Sequence, residues 1–397
     1  MKGGETREVS MEAALWMRNH PYEFELSFPS PEGLPYRDAS GKVAFCNFFG
    51  PVDPTFGYGS GGVSILRALA SAGIETNVQS WVGPFQQTAS DLPVDVRRQL
   101  ERRGWIAPVT IAQGLPTDLH NVQSAYTVSW TMIEQSSIPD GSLKTGPYQG
   151  DWAQLINQHA DHLVVPCHHN AEVFARCGVE KPIDVIPYGL DTDIWEYQER
   201  PERDLFTVVQ FGDLSARKSP FEAVMTFQRA FPDNPNVRLI LKTTGDYIGY
   251  SKPVISDPRV TLIYGEVWSR PELREWLYNA DCFIWLSKGE GFGLPPVQAL
   301  LTGLPVVTTT HTGMAEWFNE KYAYGVNSLP LEPSPIFGDW YPPDVDHAAI
   351  RLRQVYDDRA KARRKAKAGN DFIRKNFSIE AFGTRISGFL NNLQIGV

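Results

Sequence analysis

Cysteine is scarce in this chain. Four of 397 residues are Cys (Cys46, Cys167, Cys177 and Cys282). They lack metal-ligand spacing and are too few for a disulfide framework, so four buried thiols are expected. Long apolar runs are also missing. No stretch approaches 18 consecutive apolar residues, which argues against a spanning helix. The first twenty residues (MKGGETREVSMEAALWMRNH) have no apolar segment of signal-peptide length. A cytoplasmic protein with at most peripheral membrane contact is expected. Positive charge is in deficit: 37 Lys and Arg stand against 46 Asp and Glu, a formal net charge of −9. That balance disfavours a nucleic-acid partner, which usually requires a basic footprint. The one basic run, residues 359–367 (RAKARRKAK), alternates with Ala and reads as a solvated helix face. No low-complexity tract or short-period repeat occurs.

What is present is ordinary globular material: 42% hydrophobic and 21% charged residues, enough for two or three domains. Residues 1–41 read as an extension with a short helix near 11–18. From residue 42 strands and helices alternate. In the first half, 43–49 (VAFCNFF) is a strand, 57–62 (GYGSGG) a glycine loop, and the stretch after it a helix. Residues 78–82, 106–111, 125–133, 162–166 and 183–186 are strands, with helices at 155–160 and 171–177. In the second half, strands fall at 206–211, 237–242, 260–263, 282–286 and 305–309. Helices fall at 220–231, 271–279 and 295–301, with further ones at about 347–375 and 378–393. Two such series imply an α/β chain of two Rossmann-like doubly wound domains, 42–190 and 191–376, facing a central cleft. A last helix in 377–397 returns toward the first domain. Ligands in such folds bind beyond the carboxyl ends of the strands.

The densest chemical signal is KGEGFGLPPVQAL at 288–300, directly after an apolar strand. Gly289, Gly291 and Gly293 let backbone approach a ligand closely. Pro295 and Pro296 suit a first helical turn, whose free N–H groups favour a phosphate or a sugar oxygen. A carboxylate at Glu290 can accept from sugar hydroxyls, and Gln298 can bond a ribose.

This stretch resembles the donor-site signature of retaining glycosyltransferase family 4, within the glycosyl transferases group 1 of GT-B fold. The pattern EGFGLP begins at Glu290 and runs on to a small-residue turn and apolar strand at 303–307. The family's second acid is Gln298 here, which forfeits a charge-assisted bond worth roughly 1 kcal/mol. The resemblance extends to Arg217-Lys218, where family members clamp the donor diphosphate. Fixed cations there would stabilise the charge a leaving diphosphate gains. It also extends to the end of the first domain, 160–167 and 185–193. Asp191-Thr-Asp193 spells a metal-binding Asp-x-Asp, but its place at the junction implies a structural aspartate, and no metal is expected.

The resemblance therefore implies Glu290, Lys218 and Arg217 as catalytic residues, and Gly291, Phe292, Gly293, Leu294, Gln298, His311 and Glu316 as donor contacts. Gly59, Gly61, Gly62, His120 and Glu134 fall on the acceptor side. A lone histidine is more often structural, which applies to both His120 and His311. No cofactor is implied beyond a nucleotide-sugar co-substrate, UDP-linked ahead of GDP-linked. The acceptor would be a carbohydrate or other hydroxyl compound. Two alternatives stand beside transfer to a glycan or small molecule. One is a non-catalytic nucleotide-sugar or glycan binder on the same fold, and the other is an enzyme modifying DNA or protein.

Overall fold

The computed structural model describes residues 36–80, 92–101, 107–244 and 255–394. The short helix read at 11–18 lies outside these residues, as do the ends of two expected strands at 81–82 and 106.

The first sheet contains β1 (Phe45–Phe49), β2 (Glu75–Gln79), β3 (Val109–Gln113), β4 (Tyr126–Trp130), β5 (His162–Val165) and β6 (Ile183–Val185). Its order is β2-β1-β3-β4-β5-β6 and every pair is parallel. The strands are linked by α1 (Gly57–Ser71), α2 (Val94–Glu101), α3 (Trp152–His159) and α4 (His168–Arg176). The glycine run at 57–62 is no loop but the first turns of α1. A Cβ on Gly59 would collide with the carbonyl of Asp53, and one on Gly62 with that of Pro51. Glycine lets this helix start flush against the segment that leaves β1.

The second sheet contains β7 (Phe206–Gly212), β8 (Val237–Thr243), β9 (Val260–Tyr264), β10 (Cys282–Trp285), β11 (Val306–Thr309) and β12 (Tyr324–Val326). Its order is β12-β11-β10-β7-β8-β9, again all parallel. All four residues of β10 and of β11 are buried, as central strands covered on both faces require. The covering helices are α5 (Pro220–Ala230), α6 (Arg270–Tyr278) and α7 (Leu294–Leu301). α6 starts on a capping box between Ser269 and Glu272, two reciprocal bonds that satisfy otherwise orphaned amides. The strand order reverses between β7 and β10, the kind of switch point beside which ligands of such sheets bind. A small antiparallel ribbon, β13 (Glu332–Pro333) with β14 (Asp339–Trp340), follows β12.

The sequence reads one helix over 347–375. The structure divides it into α8 (Val345–Asp357) and α9 (Arg359–Asn376). Asp358 has φ −131° and ψ 71°, outside the helical region, and its side chain accepts from the N–H of Lys361. An Asp that caps a new helix ends the old one. The basic run on α9 is only partly a solvated face. Arg359 donates to the carbonyl of Arg203 at 2.6 Å, Arg363 pairs with Glu202 at 2.9 Å, and Lys365 lies 4.0 Å above the Tyr324 ring. These cations fasten α9 to its own domain.

The last helix, α10 (Ile379–Asn392), packs on α1 of the first domain. Gly383 permits the approach, since a Cβ there would sit 2.6 Å from the Ala68 carbonyl. One buried apolar cluster runs from Leu66 through Trp130 and Tyr188 to Phe292, Trp317 and Phe382, so the two domains share packing. Among the described residues, no helix is long and apolar enough to cross a membrane.

Candidate active site

β7 and β10 deliver the central residues. After β7 the chain turns through a short 3-10 helix, Ala216–Lys218. It enters α5 through Ser219, a non-glycine residue at φ +52°. Such a conformation costs about 1–2 kcal/mol, and the surrounding bonds hold it. Gln210 of β7 donates to the Lys218 carbonyl at 2.9 Å, and the N–H of Lys288 donates to the Arg217 carbonyl at 2.7 Å. The loop after β10 is thereby fixed to the loop after β7.

Lys218 and Glu290 form a buried ion pair, Nζ to Oε1 2.6 Å. Arg217 Nη1 lies 3.4 Å from the same carboxylate oxygen and donates to the Gly289 carbonyl at 2.6 Å. Arg217 Nη2 faces Glu134 Oε1 of the first domain at 3.6 Å. Lys218 Nζ also stands 4.9 Å above the ring of Trp285, the last residue of β10. Burial works against the Arg217 charge, but the carboxylates of Glu134, Glu290 and Asp213 outweigh it and hold its pKa above the ordinary guanidinium value. Burial likewise pushes Asp213 up, but Lys218 and Arg217 win and hold its carboxyl below the usual range. Arg217 and Asp213 are thus both charged at neutral pH.

The Glu290 loop is held from behind as well. The Glu290 N–H donates to Thr312 Oγ1 at 3.0 Å, and its carbonyl accepts from the Gly313 N–H at 2.8 Å. Gly293, at φ +83°, precedes α7 and provides the left-handed turn that Leu294, Pro295 and Pro296 need to start the helix. Gly291 packs against Met132 of the first domain, and a Cβ there would collide with that side chain.

The other expected residues separate into distinct places. Phe292 turns its ring into the shared core, edge-on to Tyr188 with centroids 5.9 Å apart, and its carbonyl accepts from Trp317 Nε1. Its ring is thus turned away from the charged cluster. Leu294 and Gln298 line an interdomain cleft with Ser60, Arg67, Asp191 and Arg270. Gln298 therefore faces the first domain, one side of the loop away from the charged cluster. Glu316 is turned to the first domain. Its carboxylate accepts from the backbone N–H of His168 at 3.1 Å and lies 2.8 Å from His168 Nδ1, joining the domains at the start of α4. His311 is stacked on Tyr341, centroids 4.8 Å apart, with Nδ1 3.3 Å from Thr312 Oγ1. Burial drives its pKa down to about 3, so it is neutral and brings no charge to a phosphate. His120 is exposed, with Nδ1 2.6 Å from the Thr117 carbonyl on a surface turn, apart from the cluster. Gly59, Gly61 and Gly62 are buried in the first turns of α1, Gly61 against Gln113 and Tyr188. Of the acceptor-side residues, Glu134 alone reaches the charged cluster. Asp191 is engaged by Arg67 and lies 3.9 Å from Arg270, an ion-pair bridge at the domain junction.

Sequence reading missed Trp285, Met132, Thr312 and Tyr58. Trp285 carries a signal, since it ends the strand that feeds the glycine loop. Met132 and Tyr58 carry none. The Tyr58 hydroxyl reaches across α1 to Thr131 Oγ1 and to the carbonyl of Met132, both at 3.1 Å, which only the fold reveals. The ribbon β13–β14 was also unforeseen. It docks on the first domain through Ser136, whose N–H donates to the Asp339 carbonyl at 3.1 Å, and through Phe337 against Tyr148.

Residues 207–333 match the family model described as glycosyl transferases group 1. Among curated proteins, the chain is similar to glycogen synthase of Mycobacterium tuberculosis (strain CDC 1551 / Oshkosh), 26% identical over 206 residues. That alignment covers 51% of this chain and 46% of the relative. It is also similar to D-inositol 3-phosphate glycosyltransferase of Mycolicibacterium smegmatis, 28% identical over 261 residues, covering 60% of this chain and 55% of the relative. The chain spans about half the length of the curated relatives it matches. Among solved structures, sucrose-phosphate synthase from Thermosynechococcus elongatus superposes with a TM-score of 0.62 at 15% identity. The match covers 87% of this chain and 98% of that one. Anabaena HepE, solved with UDP-glucose, gives 0.61 at 14% identity, covering 88% and 100%. The chain therefore has the GT-B fold, and the segment 207–333, which holds Arg217, Lys218 and the Glu290 loop, carries the sequence pattern of glycosyl transferases group 1.

Proposed function

We propose that the chain is a glycosyltransferase that moves a sugar from a nucleotide sugar to an acceptor hydroxyl, with retention of anomeric configuration and without a metal. The observation that carries the reading is the convergence of Arg217 and Lys218 on the Glu290 loop at the strand-order reversal of the second sheet. The donor diphosphate lies against the two cations and the sugar against Glu290 and the amides of the glycine loop. As the bond from the anomeric carbon to the leaving phosphate oxygen breaks, negative charge grows on the diphosphate, and fixed cations in a partly water-excluded site stabilise it. The acceptor oxygen bonds to the anomeric carbon from the same face, and its proton passes to the departing phosphate oxygen. The nucleotide lies toward Gln298 in the interdomain cleft. A UDP-sugar is favoured as donor, and the likeness to a protein solved with UDP-glucose supports that choice.

Incubation with a panel of UDP- and GDP-sugars tests the reading, with nucleoside diphosphate release and product mass as readouts and the anomeric proton coupling of the product for stereochemistry. Release with one donor and a retained configuration are expected. If no nucleotide sugar is bound or cleaved, the enzyme reading falls. Gln298 in place of an acid favours a second reading, a binder without turnover. Tight donor binding with no release under any acceptor supply would select it.

A further inference from the structure

Glu134 meets the second domain in a particular way. Its Oε1 is 3.6 Å from Arg217 Nη2, with side-chain exposures of 16% and 17%. Its backbone carbonyl packs on Gly289 so closely that no Cβ would fit there, and the Met132 side chain packs closely on Gly291. The Tyr58 hydroxyl holds the segment from the other side through the Met132 carbonyl. Residues 132–134 therefore lie directly over the glycines of the candidate sugar site.

Arg217 has limited capacity. Its Nη1 is directed at the Gly289 carbonyl and Glu290, which leaves Nη2 as the face turned to Glu134. A carboxylate and a phosphate present the same chemistry to a guanidinium: an anionic oxygen for its fork of N–H donors. On the donor-site reading above, the diphosphate also needs Arg217. We propose that Glu134 and the donor diphosphate compete for Arg217, so that donor binding and the seating of residues 132–134 on the glycine loop exclude each other. Glu134 is then a positioning residue. It holds Arg217 and the segment in register until a diphosphate takes the guanidinium over, and the segment then withdraws to admit the sugar.

The test is calorimetric titration of UDP and GDP into the full chain and into Glu134→Gln, Glu134→Asp and Lys218→Ala. For the diphosphate that binds, Glu134→Gln is expected to tighten binding about three- to tenfold, since the amide keeps the shape and loses the charge. Glu134→Asp, with a carboxylate one methylene shorter, is expected to fall between. Uridine or guanosine, which lack phosphate, should bind both proteins equally. Amide hydrogen exchange at residues 132–135 should rise when the diphosphate is added. Equal or weaker diphosphate binding by Glu134→Gln, with its thermal melt intact, overturns the competition. So does greater amide protection in that segment. If Lys218→Ala leaves diphosphate binding unchanged, the donor-site reading fails instead, whatever Glu134→Gln does. If neither diphosphate binds the unaltered chain or any variant, both fail.

Discussion

Lys218 Nζ lies 2.6 Å from Glu290 Oε1, and the two residues belong to loops that leave adjacent strands, β7 and β10, on either side of the strand-order reversal. Seventy-two residues separate them in sequence. The parallel pairing of the two strands brings them together, and the bonds from Gln210 and Lys288 to the turn at 217–218 fix the approach. Both side chains are buried, so each charge depends on the other for solvation lost on folding. The pair is a preorganised dipole at the strand-order reversal of the second sheet.

Removal of either charge should be costly for that reason. Lys218→Ala is expected to lower the rate of donor cleavage by about 10²–10³-fold, the usual range for losing one group that stabilises developing charge. It should also destabilise the fold by about 3 kcal/mol, since Glu290 stays buried with Arg217 as its remaining cation. Lys218→Arg should recover the stability in part and the rate less, because a planar fork does not reproduce a point charge above the Trp285 ring. Nucleoside diphosphate release and urea unfolding measure the two effects. Full activity in Lys218→Ala would remove the cation from the mechanism.

The two loop glycines should respond differently to the same change. A Cβ at Gly289 meets the backbone carbonyl of Glu134, which clears it only if the first-domain segment 132–134 withdraws as a whole. A Cβ at Gly291 meets the Met132 side chain from Sδ back to Cβ, most of which can move by changing rotamer. Gly289→Ala is therefore expected to part the domains, with a larger radius of gyration by solution scattering and a loss of several kcal/mol, beyond the usual 1–3 for overpacking. Gly291→Ala should cost less, about 1–3 kcal/mol, and be relieved in part by Met132→Ala. An equal cost at both positions would contradict the packing described.

Both sheets were legible in the sequence because apolar runs such as FTVVQF and CFIWL lie between turn residues, and because each alternates with a helical pattern. The loop at 288–300 stood out because its glycines, prolines and Glu290 together resemble a known family signature, which the glycines alone would not have conveyed. The start of α1 was misread because glycine usually argues against a helix, and here close approach to the Pro51 and Asp53 carbonyls overrides propensity. The break at Asp358 was hidden because one aspartate between two strong helical patterns reads equally as an exposed helix residue. Partners across the cleft were not legible at all. Glu316 with His168 and Glu134 with Arg217 are pairings that only the apposition of the two domains defines.

The junction aspartate offers a test of that apposition. Asp191 is bridged by Arg67 of α1 and faces Arg270 of α6, so one carboxylate ties a helix of each domain to the connecting segment. Arg67→Ala leaves Asp191 largely buried with only the more distant Arg270, and is expected to destabilise by about 3 kcal/mol. Arg67→Met paired with Asp191→Leu should recover most of that loss, because an apolar pair of similar volume needs no solvation. Denaturant unfolding of the two variants checks this. If the single and double variants are equally unstable, the ion pair is not what holds the junction.

His311 gives a pH dependence whose sign is fixed by its environment. Its pKa is lowered to about 3 by burial, with His169 nearby adding to the effect, whereas an unfolded histidine titrates near 6.5. The unfolded chain therefore binds a proton at this residue in a range where the folded chain does not. The stability tied to the neutral imidazole is fully present above about pH 6.5 and is lost progressively as pH falls toward 3, by at most about 1.4 kcal/mol per unit. His169 has its pKa lowered by burial as well, so it adds in the same direction. The expected outcome is a melting temperature that drops on acidification from pH 7 to 4.5 and drops less in His311→Phe, which keeps an aromatic ring against Tyr341 and cannot be protonated. The comparison isolates His311 because the substitution leaves every other titratable side chain in place. Parallel melting curves across that range would show that the ring is not held neutral by the fold.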